Sequence, residues 1–204
     1  QQGDGGRFVG TTWQDLLDLE TVDVPEYLRI QNNPDMGDED LSVDRYISQE
    51  FFNKEKEEMW PRVWQMACRE EEIPEPGDHH VYWIIDRSVI VTRTPSGEIK
   101  GYINSCRHRG RCLRDESGSV DKFRCPFHGA TWDLNGQFQG IPNQWDFEHI
   151  EGRDMSLPQV KVATWGGFVF INFDQDAPPL GDYMDVLPDH FKRFPLEEYF
   201  TGVH

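Results

Sequence analysis

The chain has 204 residues, a length that suits one solid domain with short appendages. Its formal net charge of −17, from 20 Lys and Arg against 37 Asp and Glu residues, argues against nucleic acid or an anionic membrane as a partner. Four cysteines are too few for a secreted disulfide scaffold, and we find neither a signal peptide pattern nor an apolar run long enough for a membrane helix. We therefore expect a cytoplasmic protein that does not bind membranes.

Residues 1–60 are predicted to form an acidic arm with one or two helices. Thr12, with Asp15 three residues later, is the pattern of a helix start, and residues 32–40 are rich in loop formers. Ser48 is predicted to cap a helix over residues 49–60 whose charged side faces water. The apolar side of this helix is expected to pack in a core and consists of Phe51, Phe52, Met59 and Trp60.

Residues 61–175 are predicted to form a small antiparallel β domain. Apolar residues recur there with a period of two, and turn signals separate about eight to ten short strands, which is typical of a β sandwich or barrel. The turn signals are Asp86-Arg87-Ser88, Ser96-Gly97, Asn135-Gly136 and Gly166-Gly167. Residues 176–204 carry prolines and short helical patterns, and they are predicted to be a partly helical linker. The predicted fold class is therefore mainly β.

Two cysteines and two histidines form matched pairs between the predicted strands. Cys106-x-His108 is followed by Cys125-x-x-His128, and each pair comes after a short apolar run. Iron–sulfur clusters are normally held by four thiolates, but in a Rieske 2Fe-2S centre two histidines replace two cysteines on one iron. This mixed ligand set predicts a Rieske-type cluster held where two strand-end loops meet. We expect each imidazole to use one nitrogen for iron and to leave the other partly exposed.

The residues beside the ligands are suited to tight metal-binding loops. Gly110 and Gly129 follow the histidines closely, and glycine permits a positive φ or a close approach to inorganic sulfide. Pro126 fixes φ just after the second cysteine. Four Cys and His ligands could also hold a structural zinc ion, although zinc motifs usually place two cysteines in one knuckle and two histidines in another. A zinc-stabilised binding module therefore stays open as an alternative.

These motifs and their flanks resemble the Rieske domain of ring-hydroxylating oxygenase alpha subunits. The resemblance extends from about Trp60 to Asp174, and it includes the segments Ile73 to Asp78, Ser88 to Val91 and Trp165 to Asn172. It implies a Rieske-type β fold around a 2Fe-2S cluster. The cluster ligands it implies are Cys106, His108, Cys125 and His128. The residues it implies as support for the ligand loops are Gly110, Pro126, Gly129 and Trp132.

The resemblance also implies an electron relay within a larger oxygenase. In that family a ferredoxin or reductase feeds the cluster, which passes electrons to a mononuclear non-haem Fe(II) where O₂ is activated to hydroxylate an aromatic or similar ring. No paired histidines with a nearby acid follow the ligand motifs, so we expect no catalytic residue in this chain. The resemblance implies the N-terminal part of a longer alpha subunit, with the iron in a C-terminal domain. It further implies a homotrimer of alpha chains, with or without beta subunits.

Positive charge gathers around the ligand motifs. Residues 106–124 contain six Lys and Arg against three Asp and Glu, a local balance of +3 within an acidic chain. Arg107, Arg109 and Arg111 are therefore candidates for docking an acidic electron donor, although local charge compensation explains them equally well. The main alternative function is a stand-alone Rieske ferredoxin-like electron carrier. The long segments on both sides of the predicted β domain argue against that alternative.

Overall fold

The computed structural model describes residues 11–29 and 40–202. The chain divides into two compact units between residues 43 and 44. The first unit contains the helices α1 (Trp13–Asp18) and α2 (Glu26–Arg29). The predicted cap of α1 is confirmed, because the Thr12 hydroxyl accepts from the Asp15 N–H and the Asp15 carboxylate accepts from the Thr12 N–H. The loop predicted over residues 32–40 falls almost wholly outside the described residues.

The second unit opens with two short helices. These are α3 (Asp44–Ile47) and α4 (Gln49–Lys54), and α4 continues as a π-helical turn over Glu55–Met59. The Ser48 hydroxyl accepts from the Phe51 N–H at 3.3 Å, which confirms the predicted cap. The prediction that the whole aromatic side packs in a core is wrong for Phe52 and Met59, which are 40% and 36% exposed. The π turn takes Met59 off the 3.6-residue period on which the prediction depended. Phe52 lies before this turn, and its exposure has no such explanation.

The described residues of this unit include ten antiparallel strands. They are β1 (Gln65–Arg69), β2 (Asp78–Ile84), β3 (Arg87–Arg93), β4 (Ile99–Ile103), β5 (Gly118–Ser119), β6 (Phe123–Arg124), β7 (Thr131–Trp132), β8 (Phe138–Gly140), β9 (Gln159–Trp165) and β10 (Phe168–Asn172). Seven of them form one sheet in the order β1-β10-β9-β4-β3-β2-β5, and β6-β7-β8 form a second sheet. The prediction of a mainly β antiparallel domain is confirmed.

The two sheets share one hydrophobic core. It includes Ile90 and Tyr102 from the large sheet and Phe123 and Trp132 from the small one, all of them fully buried. The Tyr102 hydroxyl donates to the Leu134 carbonyl at 3.2 Å, in the turn that follows β7. The rings of Tyr102 and Phe123 meet edge to face with their centroids 6.5 Å apart. The small sheet is therefore fixed to the large one, and the loops at its end have rigid support.

The hairpin between β2 and β3 turns earlier than predicted. The sequence favoured Asp86-Arg87-Ser88, but β3 already begins at Arg87, so that Ile85 and Asp86 form the turn. Ile85 has a φ of +54°, which is a genuine outlier for a β-branched residue. Turn rules expect Gly, Asn or Asp at such a position, and that is why the pattern pointed to the more polar residues. The other three turn signals do lie between successive strands.

The C-terminal segment packs against β1. It contains α5 (Leu180–Met184), α6 (Leu187–Phe191) and a 3-10 turn over Leu196–Glu198. The Trp64 indole donates to the Pro178 carbonyl at 3.0 Å, and its ring packs with Leu180 and Met184. The Arg69 guanidinium donates to the carbonyls of Leu196 and Tyr199. Among the helices of residues 11–29 and 40–202, none has the length and apolar character needed to cross a bilayer.

Candidate metal centre

The first ligand loop, residues 105–111, follows β4 and is closed at its base by Asn104. The amide oxygen of this buried residue accepts from the N–H groups of Leu113 and Arg114 at 3.1 and 3.0 Å. Its Nδ2 donates to the Arg114 carbonyl at 2.6 Å, and its backbone N–H donates to the Ser88 carbonyl on β3 at 3.0 Å. A buried amide that is satisfied on every side holds the two ends of the loop together. Asn104 was not predicted from the sequence as part of the site.

The second ligand loop, residues 125–130, joins β6 to β7 and repeats the backbone bonding of the first. The Cys106 carbonyl accepts from the Gly110 N–H at 2.8 Å, and the Cys125 carbonyl accepts from the Gly129 N–H at 3.1 Å. The N–H of each cysteine donates to the carbonyl five positions later, at 2.8 Å in both loops. In each loop we call this pair of backbone bonds the loop frame. The histidine lies two residues after the cysteine in the first loop and three residues after it in the second.

Both loop frames require a glycine at the same point. Gly110 and Gly129 have φ values of +72° and +75°, which L side chains rarely adopt. The space around them differs. A Cβ on Gly110 would meet only the Ser105 hydroxyl, at 3.8 Å, whereas a Cβ on Gly129 would lie 3.0 Å from Cγ of Pro142. Pro142, which lies outside the motif, therefore leaves little room for a side chain at position 129 of the second loop.

The two cysteine ligands predicted from the motif lie side by side. Cys106 and Cys125 are buried, neither is in a disulfide, and the Cys125 thiol is a hydrogen-bond partner of Cys106. Burial raises the pKa of the Cys106 thiol and its neighbour Cys125 adds to the rise, although the N–H groups of His108 and Arg109 bond to its sulfur and act in the opposite direction. Cysteines bind a metal cation as thiolates, so metal binding here would release thiol protons.

The two histidines predicted as ligands are also neighbours. The rings of His108 and His128 have centroids 4.9 Å apart. Both ring nitrogens of His108 are buried, and neither has a hydrogen-bond partner in the part of the chain that the structure describes. The expectation of a partly exposed second nitrogen is therefore wrong for His108. Burial lowers the pKa of His108, and the nearby His128 and Arg109 lower it further, which favours the neutral imidazole that binds metals.

Three more rings surround the imidazoles, and none of them was predicted from the sequence as part of the site. Phe127 is 61% exposed and stacks on His128, with centroids 3.8 Å apart. Phe147 meets His108 edge to face at 5.0 Å and lies 5.7 Å from His128, and the His149 ring is 5.2 Å from that of His108. A large apolar residue within a ligand loop was a usable signal for Phe127. Phe147 and His149 come from a distant segment, so no local pattern identifies them.

Trp132 and Pro126 support the second loop in different ways. Trp132 is fully buried, and its indole donates to the Met155 carbonyl at 2.6 Å, which ties β7 to the segment that carries Phe147 and His149. Its ring also packs against Phe138, with centroids 5.7 Å apart. Pro126 is exposed at the tip of the loop, next to Phe127.

The three arginines of the motif are exposed around the ligand loops. Arg107 reaches the Asp154 carbonyl at 3.5 Å, and Arg111 lies 4.0 Å from the Asp115 carboxylate. An exposed pair at that distance is weak, so these cations remain accessible to another molecule. Arg114 has a different role, because its Nε donates to Nε2 of the buried His79 at 3.1 Å.

The donor set fits a 2Fe-2S cluster. Thiol lies beside thiol and imidazole beside imidazole, and each iron of a Rieske centre is bound by one such pair. A nitrogen bound to iron would also remove one of the two unsatisfied buried nitrogens of His108. A structural zinc ion would instead need all four side chains directed at one point.

Comparison with known proteins agrees with this geometry. Residues 63–161, which include both ligand loops, match the family model of the Rieske [2Fe-2S] domain. Over 141 residues the chain is 33% identical to the biphenyl 2,3-dioxygenase subunit alpha of Rhodococcus jostii, covering 68% of this chain and 31% of that one. It is 35% identical over 140 residues to the large oxygenase component of the naphthalene 1,2-dioxygenase system of Pseudomonas aeruginosa, with 67% and 31% covered.

Solved structures show the same fold. Naphthalene 1,2-dioxygenase from Rhodococcus sp. bound to indole superposes with a TM-score of 0.65 at 35% identity, over 70% of this chain and 33% of that chain. A quaternary ammonium Rieske monooxygenase in complex with L-carnitine gives a TM-score of 0.68 at 26% identity, over 74% and 43%. The present chain spans about a third of the length of the dioxygenase relatives.

Fold, ligand pairs and family model together identify a Rieske [2Fe-2S] domain, and the 2Fe-2S cluster is the cofactor of that family. The similar sequences and solved structures then identify the type of Rieske protein. The chain matches the Rieske part of ring-hydroxylating dioxygenase alpha subunits, which are oxidoreductases. The predicted family resemblance is confirmed.

Proposed function

We propose that Cys106, His108, Cys125 and His128 hold the cluster and that the protein relays electrons for an oxygenase. The observation that carries the proposal is that thiol lies beside thiol and imidazole beside imidazole, each pair joining two loops with the same backbone bonding. When bound, the cluster supplies one-electron chemistry at a potential raised by its two neutral ligands.

Other residues of this chain hold the two ligand loops in place and shield part of the imidazoles from water. Asn104 closes the first loop, and Trp132 is bonded to the neighbouring segment behind the second. Phe147 covers both imidazoles, and Phe127 covers one face of His128 while staying exposed itself. The half-buried imidazoles lie closer to the surface than the buried thiols, so this is the side of the centre through which a bound cluster would exchange electrons.

The partners that fit this surface are acidic electron donors. Arg107, Arg109 and Arg111 present positive charge on the first ligand loop, and Arg111 lies beside the exposed Phe127. This arrangement would steer and orient an acidic ferredoxin or reductase. We further propose a cytoplasmic homotrimer of alpha chains, with or without beta subunits. In this proposal residues 1–60 are an arm, residues 61–175 the Rieske domain, and residues 176–204 a linker to a catalytic domain.

The proposed overall reaction is O₂-dependent hydroxylation of an aromatic ring. The dioxygenases named above are 33–35% identical to this chain, whereas the carnitine-binding monooxygenase is 26% identical. Residues of the proposed C-terminal domain would hold the mononuclear Fe(II), and no catalytic role is assigned to residues 11–29 or 40–202. The substrate class is thus inferred from the relatives.

The proposal is tested on anaerobically purified protein. We expect iron and acid-labile sulfide in equal amounts and a red-brown colour that bleaches on reduction. A Cys125→Ser variant should lose the iron, the sulfide and the colour. Cys68→Ser, which removes a buried thiol from a core cluster separate from that of Cys106 and Cys125, is the matched control and should keep the cluster. Colourless protein that contains zinc without sulfide would overturn the proposal.

A further inference from the structure

A cleft of 460 Å³ lies between the β2–β3 hairpin and the first ligand loop. Trp83, Arg87 and Ser88 line it on the hairpin side, and Ser105 and Gly110 line it on the loop side. We call this space the hairpin cleft. Its volume is within the range of sites that bind small molecules.

One wall of the hairpin cleft is aromatic. Trp83 is 53% exposed, and it lies directly opposite Ser88 across the hairpin, so both side chains stand on the same face of the sheet. Ile103 and Phe173, both half-buried, add apolar surface to the lining. An indole with this much exposed surface can stack with a flat ring of another molecule.

Arg87 supplies a positive charge that is only weakly paired. Within the part of the chain that the structure describes, the one carboxylate within 4 Å of its guanidinium is that of Asp86, 3.9 Å from Nε. Asp86 is instead bound by Lys56, whose Nζ is 2.7 Å from the carboxylate, and this bond lowers the pKa of Asp86. A planar guanidinium in this state suits two parallel hydrogen bonds to a carboxylate.

The backbone that presents these two side chains is strained. Trp83 and Arg87 lie two residues before and two residues after Ile85, the β-branched residue with a φ of +54°. Glycine would adopt this conformation without strain. Strained residues of this kind are found at ligand clamps, where the strain is part of how the site is held.

We propose that the hairpin cleft binds an aromatic carboxylate, with its ring against Trp83 and its carboxylate on Arg87. The inference goes beyond the proposed function, because it assigns a second site that takes no part in electron transfer. Since Ser105 and Gly110 belong to the first ligand loop, the bound molecule would lie beside that loop. The chemistry required of the ligand is one flat ring and one carboxylate.

The test titrates benzoate into the cluster-loaded protein by calorimetry. We expect saturable binding of one benzoate per chain. Cyclohexanecarboxylate, which has no aromatic ring, and benzyl alcohol, which has no carboxylate, should both bind more weakly. Arg87→Gln should weaken benzoate binding about tenfold, because a charge-assisted hydrogen bond is lost. Trp83→Leu, which keeps an apolar side chain without the ring, should weaken it about fivefold.

The variants concern exposed side chains, so the fold is expected to persist. Lys192→Gln removes an exposed charge that does not line the cleft, and it is the control that should bind benzoate like the unmodified protein. Absence of saturable binding to the unmodified protein, or equal affinity in the Arg87, Trp83 and Lys192 variants, would overturn the inference.

A second readout locates the bound benzoate. A reduced 2Fe-2S cluster has an unpaired electron and the oxidised cluster has no net spin, so benzoate protons beside the first ligand loop should relax faster only after reduction. Binding without this effect, in protein that contains a reducible cluster, would place the benzoate elsewhere and would also overturn the inference. Unmodified protein without a 2Fe-2S signature would contradict the proposed function, while the calorimetric comparison of the variants would still decide the inference.

Discussion

At His128 the choice of a neutral imidazole over a thiolate decides how much negative charge reaches the iron. Rieske centres have potentials of roughly −150 to +300 mV, against about −400 mV for plant-type clusters with four thiolates. The His128 ring is stacked on the exposed Phe127, so a substitution of His128 disturbs little of the hydrophobic core.

We therefore expect His128→Cys either to lose the cluster or to lower its potential by hundreds of millivolts, because a thiolate adds a negative charge. The measurement is a redox titration combined with iron and sulfide analysis. His80→Cys introduces a thiol elsewhere and should leave the potential unchanged. A fully loaded His128→Cys protein with the original potential would rule out His128 as a ligand.

A second histidine affects stability and not redox chemistry. His79 is buried, its Nε2 accepts from Arg114, and its Nδ1 lies 3.4 Å from the Gly77 carbonyl. Burial lowers the pKa of His79, and the charge of Arg114 lowers it as well. Only the neutral ring satisfies both contacts, so protonation breaks the bond from Arg114.

The pH dependence follows from the direction of that shift. The unfolded chain binds a proton at His79 near pH 6.5, whereas the folded chain does so only at a lower pH. Stability from this residue is therefore complete above pH 6.5 and is lost as the pH falls through the folded pKa, by at most about 1.4 kcal/mol per pH unit. Urea unfolding at pH 7.5 and 5.5 should show a larger drop for the unmodified protein than for His79→Gln. Equal drops would contradict this account.

How much of the site can be predicted from sequence depends on how local its chemistry is. The proposed ligand set could be selected from the sequence because Cys and His at this spacing serve few purposes besides binding an iron–sulfur cluster or a zinc ion. The contacts of Asn104 and His149 with the ligand loops could not, because they join residues that are distant or unremarkable in sequence. Which of several scattered histidines lies beside the ligands is decided by the folding of residues 143–156.

At the scale of elements, the two ligand loops provide a matched comparison. Ala at position 110 or 129 must adopt a positive φ, which costs about 1–2 kcal/mol. Only at position 129 does the new methyl group also meet the ring of Pro142, at 3.0 Å, and overpacking adds about 1–3 kcal/mol. A proline ring has little freedom to move away.

Gly129→Ala is therefore expected to destabilise the cluster-loaded protein more than Gly110→Ala. Chemical unfolding of both variants gives the difference in the free energy of unfolding, and bleaching of the visible absorbance reports the loss of the cluster. Equal destabilisation would mean that Pro142 does not confine the second loop.

Strands and most turns were predictable at this scale because alternation and turn residues are local signals. The β2–β3 hairpin was not, because Ile85 adopts a φ that the turn rules reserve for other residues. The predicted burial of Met59 also failed, since this residue lies in a π turn that breaks the period from which its burial was extrapolated.

At the scale of the whole molecule, charge is distributed unevenly. The chain carries −17 overall, yet its exposed Arg107, Arg109 and Arg111 surround the ligand loops. A negatively charged body repels an acidic partner whereas this patch attracts it, so the partner is oriented before contact.

Reversing the three arginines to glutamate should slow reduction by an acidic ferredoxin about tenfold at low salt. The effect should be much smaller at about 1 M salt, where the Debye length falls to roughly 3 Å. Stopped-flow reduction at several ionic strengths measures the effect. Lys192→Glu, an exposed charge reversal on the C-terminal segment, is the control and should have little influence. A rate that is independent of salt in both proteins would exclude electrostatic docking at these arginines.

The shared loop frame has one more consequence. Each proposed ligand cysteine is held at its N–H and at its carbonyl by the loop's own backbone, so the backbone that carries the sulfurs is fixed without the bonds to iron. A bound cluster would then change its charge on reduction while the surrounding backbone stayed almost where it was. Such a scaffold keeps the reorganisation energy of the redox step small, and that condition lets electrons cross a gap quickly with little driving force.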